Sequence, residues 1–454
     1  MKSNDSRLAG RILWGLLFGL LAGLAVLALG QVWPGLHEGA RSLSTQVLDP
    51  LGQVFLRLLF FVIVPLVFAS LASGVAQLGR PGLLGPLAGK TFVLFFANMA
   101  IGVAIGLVMM NVLRPGEGLP PEAVTRLMAD YGGAASKHVA AQPNGVSTSL
   151  PAIVDMFMPR NLLGAVAGTQ RNALGEVLPL ILFAILTGAA AMKLRSEDRA
   201  RLMGVLDMVT ALMTGIVDMA LRLAPYAVPA MIFSVVVKIG PGIVVTLGIF
   251  VIGCLGALLL HLGVTMSLWL RFLAKRSPLA FFRDIRAVMV TAFSTSSSNA
   301  TLPAALECAT RDLGVKPSVA GFVLPLGTTM NMSGTALFEG CVVLFVAQVY
   351  GVHLELGQQV SLLLLSVLSA VAVAGIPGGS LPLIAGLLAS FGIPPEGIGL
   401  VLGVDRLLDM SRTMVNVSAD MVTTVVVDAW TPKSAVSGHE PDANLAGVPK
   451  QGSD

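Results

Sequence analysis

The stretch Asp405-Arg406-Leu407-Leu408-Asp409-Met410-Ser411-Arg412-Thr413-Met414-Val415-Asn416-Val417-Ser418-Ala419-Asp420 decides how this chain is read. As a helix, at about 100° per residue, it gathers Asp405, Asp409, Arg412, Asn416 and Asp420 within an arc of roughly 80°. Apolar sequence flanks it on both sides. A charge at bilayer depth costs about 2.5–3.5 kcal/mol on insertion scales, so such a stripe has to face a protein interior or a watery cavity.

The rest of the chain reads as lipid-soluble. Of its 454 residues, 55% are hydrophobic and 12% charged, and the mean hydropathy is +0.83. A soluble domain carries about 25% charged residues, so the composition defines an integral membrane protein. The 50 glycines suit closely packed transmembrane helices. Barrel strands would alternate apolar and polar residues, whereas these apolar runs are continuous. The net charge of +4 does not indicate nucleic acid. Basic residues cluster at segment ends (Lys2, Arg7, Arg11; Lys193, Arg195, Arg199, Arg201; Arg271, Lys275, Arg276, Arg283, Arg286), as in cytoplasmic loops under the positive-inside rule. Cys254, Cys308 and Cys341 lie in apolar context and imply neither a metal nor a disulfide framework.

The fold class expected is an all-α membrane protein with about eight spanning helices, near 11–33, 46–78, 86–113, 152–193, 200–237, 240–273, 316–350 and 394–430. The first follows a short basic segment and lacks a convincing cleavage site, so it is read as a retained helix with a cytoplasmic N-terminus. Region 114–150 reads as an external loop, and 431–454 as a polar cytoplasmic tail. Two segments fit no simple span: 278–312, centred on Ser294-Thr295-Ser296-Ser297-Ser298-Asn299, and 360–392, centred on Gly375-Ile376-Pro377-Gly378-Gly379-Ser380. Each breaks an apolar segment midway, as a re-entrant hairpin does, and their corresponding positions point to an inverted repeat with a binding site between its halves. A third break, Gly327-Thr328-Thr329-Met330-Asn331-Met332-Ser333-Gly334-Thr335, permits local unwinding that would free carbonyls for a cation.

Four of these stretches resemble the glutamate transporter family, the dicarboxylate/amino acid:cation symporters. Ser296-Ser297-Ser298-Asn299-Ala300-Thr301-Leu302-Pro303 is similar to the family's first hairpin tip. Asn331-Met332-Ser333-Gly334-Thr335 is similar to its Asn-Met-Asp-Gly-Thr signature, Gly375-Ile376-Pro377-Gly378 to its second tip, and Asp409–Val417 to its eighth helix. The resemblance covers nearly the whole chain and implies a homotrimer of elevator-type transporters. It assigns 1–85 and 151–239 to a static scaffold, and 86–113 with 240–430 to a transport domain gated by the second hairpin.

The resemblance also implies roles. Arg412 would bind the distal carboxylate of an acidic substrate, which a guanidinium fork matches in two hydrogen bonds. Thr335 would support the same carboxylate, and Asp409 would meet the substrate ammonium. Asn416 and Thr413, with Ser296, Ser297, Ser298, Ile376 and Gly378 at the two tips, would complete the substrate site. Gly327, Asn331, Asn416 and Asp420 match a sodium site, with Asp405 supporting the helix electrostatically. Read without the resemblance, Asp409 and Arg412 also fit a structural ion pair.

The chain departs from the family at Ser333, which replaces the signature aspartate, and at Asn98 and Met99, where relatives carry Thr and Ser. These changes together imply loss of one sodium site. Val373, where relatives often carry Thr, touches the remaining cation site near the second tip. Glu339 stands where proton-coupled members carry a glutamate, and a buried glutamate can take up and release a proton near neutral pH. The expectation is therefore symport of glutamate or aspartate coupled to protons, sodium or both, with no cofactor, in contact with lipid in a bacterial plasma membrane. A C4-dicarboxylate symporter and an anion channel are the rival readings. An enzyme is disfavoured because the five histidines are scattered and the serine-rich tip lacks a partnered base.

Overall fold

The computed structural model describes residues 2–77, 85–118, 158, 160–167, 177–373 and 379–431. Among them every regular element is a helix: α1 Lys2–Gly30, α2 Pro34–Leu43, α3 Asp49–Phe61, α4 Ile63–Gln77, α5 Gly85–Leu113, α6 Leu162–Ala167, α7 Val177–Ala191, α8 Ser196–Ile239, α9 Gly242–Leu260, α10 Met266–Phe272, α11 Pro278–Asp284, α12 Arg286–Thr295, α13 Ser298–Glu307, α14 Pro317–Met330, α15 Ser333–Val349, α16 Leu356–Ala372, α17 Leu381–Ser390 and α18 Gly399–Ala429.

Four continuous stretches among the described residues are long and apolar enough to cross a membrane: Ala88–Gly118, Ser196–Val217, Gly242–Phe272 and Pro317–Val349. Shorter apolar helices cover Trp14–Gly30, Val64–Ser73, Leu182–Ala191 and Leu356–Val371. The chain is thus a multi-pass membrane protein, but helix length and apolarity alone do not yield the eight expected spans. The reason is local. The expected span 46–78 divides between α3 and α4, next to Pro65. The 31-residue α18 runs about 46 Å at 1.5 Å per residue, yet its charged stripe lowers its hydropathy. Most of the expected external loop and the tail, together with Ile376 and Gly378 of the second tip, lie outside the described residues.

Packing partners fall into two groups. Helix α1 lies along α8, α4 packs on α7 and α8, and α3 packs on α8. Separately, α5 packs on α15, α9 and α16, while α18 is enclosed by α12, α14, α15, α9 and α13. The environment of α15 shows the result, since its residues Ser333 to Ala347 are all buried. A helix buried all round can carry polar groups only where other protein groups or a cavity answer them. Three breaks bring such groups together. Helices α12 and α13 pack side by side across the turn at Ser296 and Ser297, α16 packs on α17 across 373–380, and α14 gives way to α15 at Asn331 and Met332.

Candidate functional site

Asn331 (φ −120°, ψ 64°) and Met332 (φ −93°, ψ 59°) leave the helical region, so the backbone unwinds for two residues within the apolar stretch Pro317–Val349. The break turns Gly334 and Thr335 onto α18. A Cβ on Gly334 would stand 2.6 Å from the Arg412 carbonyl oxygen, a distance that only a glycine permits. That close approach lets Asn416 Oδ1 accept from the amides of Gly334 (2.7 Å) and Thr335 (3.2 Å). Asn416 Nδ2 in turn donates to Thr335 Oγ1 at 2.9 Å. The carboxamide thereby answers the first amides of α15, which have no helical partner.

One turn away on α18, Arg412 is only 2% exposed. Its Nε and Nη2 donate to Asp409 Oδ1 at 3.0 and 2.8 Å, and Nη1 donates to Asp405 Oδ1 at 3.1 Å. The Phe338 ring stacks under the guanidinium at 4.4 Å. Asp409 has a second cation, Arg406, whose Nη1 lies 3.7 Å from Oδ2. A buried charge is tolerable only when paired, and here two arginines and two aspartates balance.

This network opens onto a small, narrow cavity lined by Ser296, Ser298, Met332, Thr335, Val373, Gly379, Ser380, Asp409, Arg412, Thr413 and Asn416. Seven of the expected substrate residues therefore meet at one place: Ser296, Ser298, Thr335, Asp409, Arg412, Thr413 and Asn416. Ser297 does not line it. Its hydroxyl accepts from the Ala300 amide at 3.2 Å and caps α13. Ser296 adopts a left-handed conformation, φ 51°, with its buried hydroxyl oxygen free of protein partners. Thr413 Oγ1 donates to the Asp409 carbonyl at 2.7 Å. Sequence reasoning missed Phe338, Ser380, Met332 and the direct contact of Asp405 with Arg412. The i, i+7 spacing of Asp405 and Arg412 on one helical face was the signal for the last.

Below the cavity, Asn331 Nδ2 donates to Asp420 Oδ1 at 2.9 Å. Asp420 lies directly over Gly327, where a Cβ would come within 2.4 Å of Oδ1. Asp420 Oδ2 and Asn331 Oδ1 are buried without partners. Orphaned oxygens with one carboxylate suit a hard cation, so Asn331 and Asp420 suit a sodium ion; the Gly327 carbonyl already accepts from the Asn331 amide at 3.0 Å. The Asn416 side chain is instead engaged with Gly334 and Thr335. In the region expected to have lost its cation, Ser333 Oγ, Asn98 Oδ1 and both His261 ring nitrogens are buried and unpartnered. No carboxylate is among them. Glu339 is fully buried, and neither carboxyl oxygen has a hydrogen bond of ordinary geometry. Ser369 and Arg412 face it.

An all-helical membrane protein that turns a balanced cluster of buried charges toward a small cavity is organised to take a small charged solute from water. The chain belongs to the sodium:dicarboxylate symporter family, whose match spans residues 8–430. It is 29% identical over 434 residues to the proton/glutamate-aspartate symporter of Escherichia coli (strain K12), covering 95% of each chain. It is likewise 29% identical to a proton/sodium-glutamate symport protein of Bacillus subtilis (strain 168), covering 95% of this chain and 94% of that one. A C4-dicarboxylate transport protein of Acinetobacter baylyi is 31% identical, with 92% and 90% covered.

Proposed function

We propose that this chain is a secondary active symporter that carries glutamate or aspartate with protons, and with sodium at the Asp420 site, across a bacterial inner membrane. The observation that carries the reading is the guanidinium of Arg412, buried beside the cavity with its hydrogen bonds directed at two aspartates.

An acidic amino acid can enter this network by exchange. Its distal carboxylate takes the donors that Arg412 gives to Asp409, and its ammonium takes the place of the guanidinium at Asp409. No buried charge is left alone, which matters because an uncompensated one costs about 3–5 kcal/mol. Thr335 Oγ1 supports the distal carboxylate. Asn416, Ser296, Ser298 and the N-terminus of α13 hold the α-carboxylate, with the partial positive charge of a helix start. The cargo still adds one negative charge. A proton on Glu339 offsets it, while a cation at Asp420 balances that carboxylate, and that is the physical basis of coupling.

In this reading α12–α13 and α16–α17 are the two re-entrant hairpins, and the second is the gate. The group formed by α5 and α9 to α18 is the mobile part. It slides against a scaffold of α1 to α4, α7 and α8 in a homotrimer whose N-termini face the cytoplasm.

The second reading, a C4-dicarboxylate symporter, is favoured by the 31% identical Acinetobacter relative. Uptake of labelled L-glutamate into proteoliposomes, with imposed pH or sodium gradients and unlabelled succinate as competitor, separates the two. The expected result is uptake driven by inward acidification, flattened by Glu339→Gln and barely inhibited by succinate. Full uptake on sodium alone, indifferent to pH and to Glu339→Gln, would end the proton assignment.

A further inference from the structure

Helix α16 carries two serines, Ser366 and Ser369, that lack the back-bond made by several other helical serines. Ser361, Ser390, Ser411 and Ser418 each donate to the carbonyl four residues earlier, at 3.0, 2.9, 2.9 and 2.7 Å. That back-bond is how a helical serine normally satisfies its hydroxyl in an apolar setting. Ser366 and Ser369 do not make it. Their hydroxyls are buried, 0% and 2% exposed, and neither makes a hydrogen bond of ordinary geometry. They share one face of α16, three residues apart, and α16 packs on α15. On α15 the Glu339 carboxyl is equally buried, and Ser369 is the hydroxyl within reach of it. Ser369 and the Glu339 carboxyl thus form an incomplete pair, which a small side-chain rotation completes.

We propose that Ser369, assisted by Ser366 one turn before it, is the positioning residue for the Glu339 proton site. The inference rests on the reading of Glu339 as the proton carrier and goes beyond it by assigning the group that tunes the carrier. Arg412 of α18 is the charged group facing Glu339, and Ser369 of α16 is the hydroxyl facing it. On the α5 side, Val103 and Leu107 pack at the neighbouring Gly340. When Glu339 is ionised, the Ser369 hydroxyl donates to it, and Arg412 supplies the attracting charge. When Glu339 takes a proton from water, its O–H donates to the serine oxygen, so the same pair stays satisfied in both forms.

The test is the pH profile of L-glutamate uptake and of L-glutamate counterflow in proteoliposomes. Ser369→Ala removes a donor from the ionised carboxyl, so the profile should move to higher pH by about one unit, tenfold in proton concentration. Ser369→Thr keeps the hydroxyl and should restore it. Ser366→Ala should move it less, and Ser369→Ala should add nothing to Glu339→Gln. Should Ser369→Ala fail to fold, Ser369→Cys, whose thiol is a weak donor, should give an intermediate shift. If Glu339→Gln removes the pH response while the serine variants leave the profile unmoved, this inference is wrong and the proton assignment stands. If Glu339→Gln itself leaves the pH response intact, the proton assignment fails first.

Discussion

At the scale of single residues, the site depends on a few positions held against their ordinary preferences. Ser296 sits at φ 51°, a region an L-residue enters at a cost of about 1–2 kcal/mol. Its hydroxyl lines the cavity without a protein partner. Strain and an unpaired polar group at one residue are worth retaining only if a ligand uses them. Ser296→Gly should therefore raise thermal stability slightly and weaken glutamate binding by about tenfold, since one hydrogen bond to a charged group is lost. Unfolding followed with and without glutamate reads both effects at once. A variant both more stable and equally tight would remove Ser296 from the substrate site. The residues most legible in the sequence were the charged ones on α18, because charge in an apolar context has few explanations. Phe338 and Ser380 were not legible. An aromatic or a serine in a buried helix is ordinary, and only the fold sets one under Arg412 and the other at the cavity.

At the scale of elements, the break between α14 and α15 does two jobs. It turns the amides of Gly334 and Thr335 to Asn416, and it brings Asn331 to Asp420. Asp420→Asn keeps a hydrogen-bonding group of the same shape beside Asn331 but removes the charge a cation needs. Sodium stimulation of uptake should then fall at least about tenfold, while acid-driven uptake persists. Uptake across a sodium gradient at equal pH on both sides measures this, and undiminished stimulation would move sodium elsewhere. The Asn-Met pair was legible as a break because glycine, threonine and asparagine interrupted an apolar run. Where Asn416 points was not, since a carboxamide on the α18 stripe could serve either the cation or the substrate. The approach of Gly334 to the Arg412 carbonyl decides it. The division of 46–78 into α3 and α4 was equally hidden, because hydropathy is continuous across it.

At the scale of the whole molecule, the two packing groups meet at fewer surfaces than they hold within themselves. Helix α16 touches α4, and α18 touches α8 and α1. If the two groups slide, a cysteine pair joining α4 to α16 should arrest uptake when oxidised and release it on reduction. A pair joining α1 to α8, within one group, should leave uptake intact. Uptake before and after oxidant compares them, and arrest by both or neither would contradict a moving second group. The all-helical, membrane-spanning class followed from composition alone. The grouping of helices did not, because neighbours in space such as α5 and α15 lie far apart in the chain.

The central claim is that a guanidinium buried beside the cavity recognises an acidic side chain. The most direct measurement is substrate-induced thermal stabilisation by L-glutamate, L-aspartate, succinate and L-serine, in the unaltered protein and in Arg412→Gln. Stabilisation is expected from the two acidic amino acids only, with a loss of about a hundredfold in their affinity once the charged fork is gone. Undiminished glutamate binding by folded Arg412→Gln would contradict that claim.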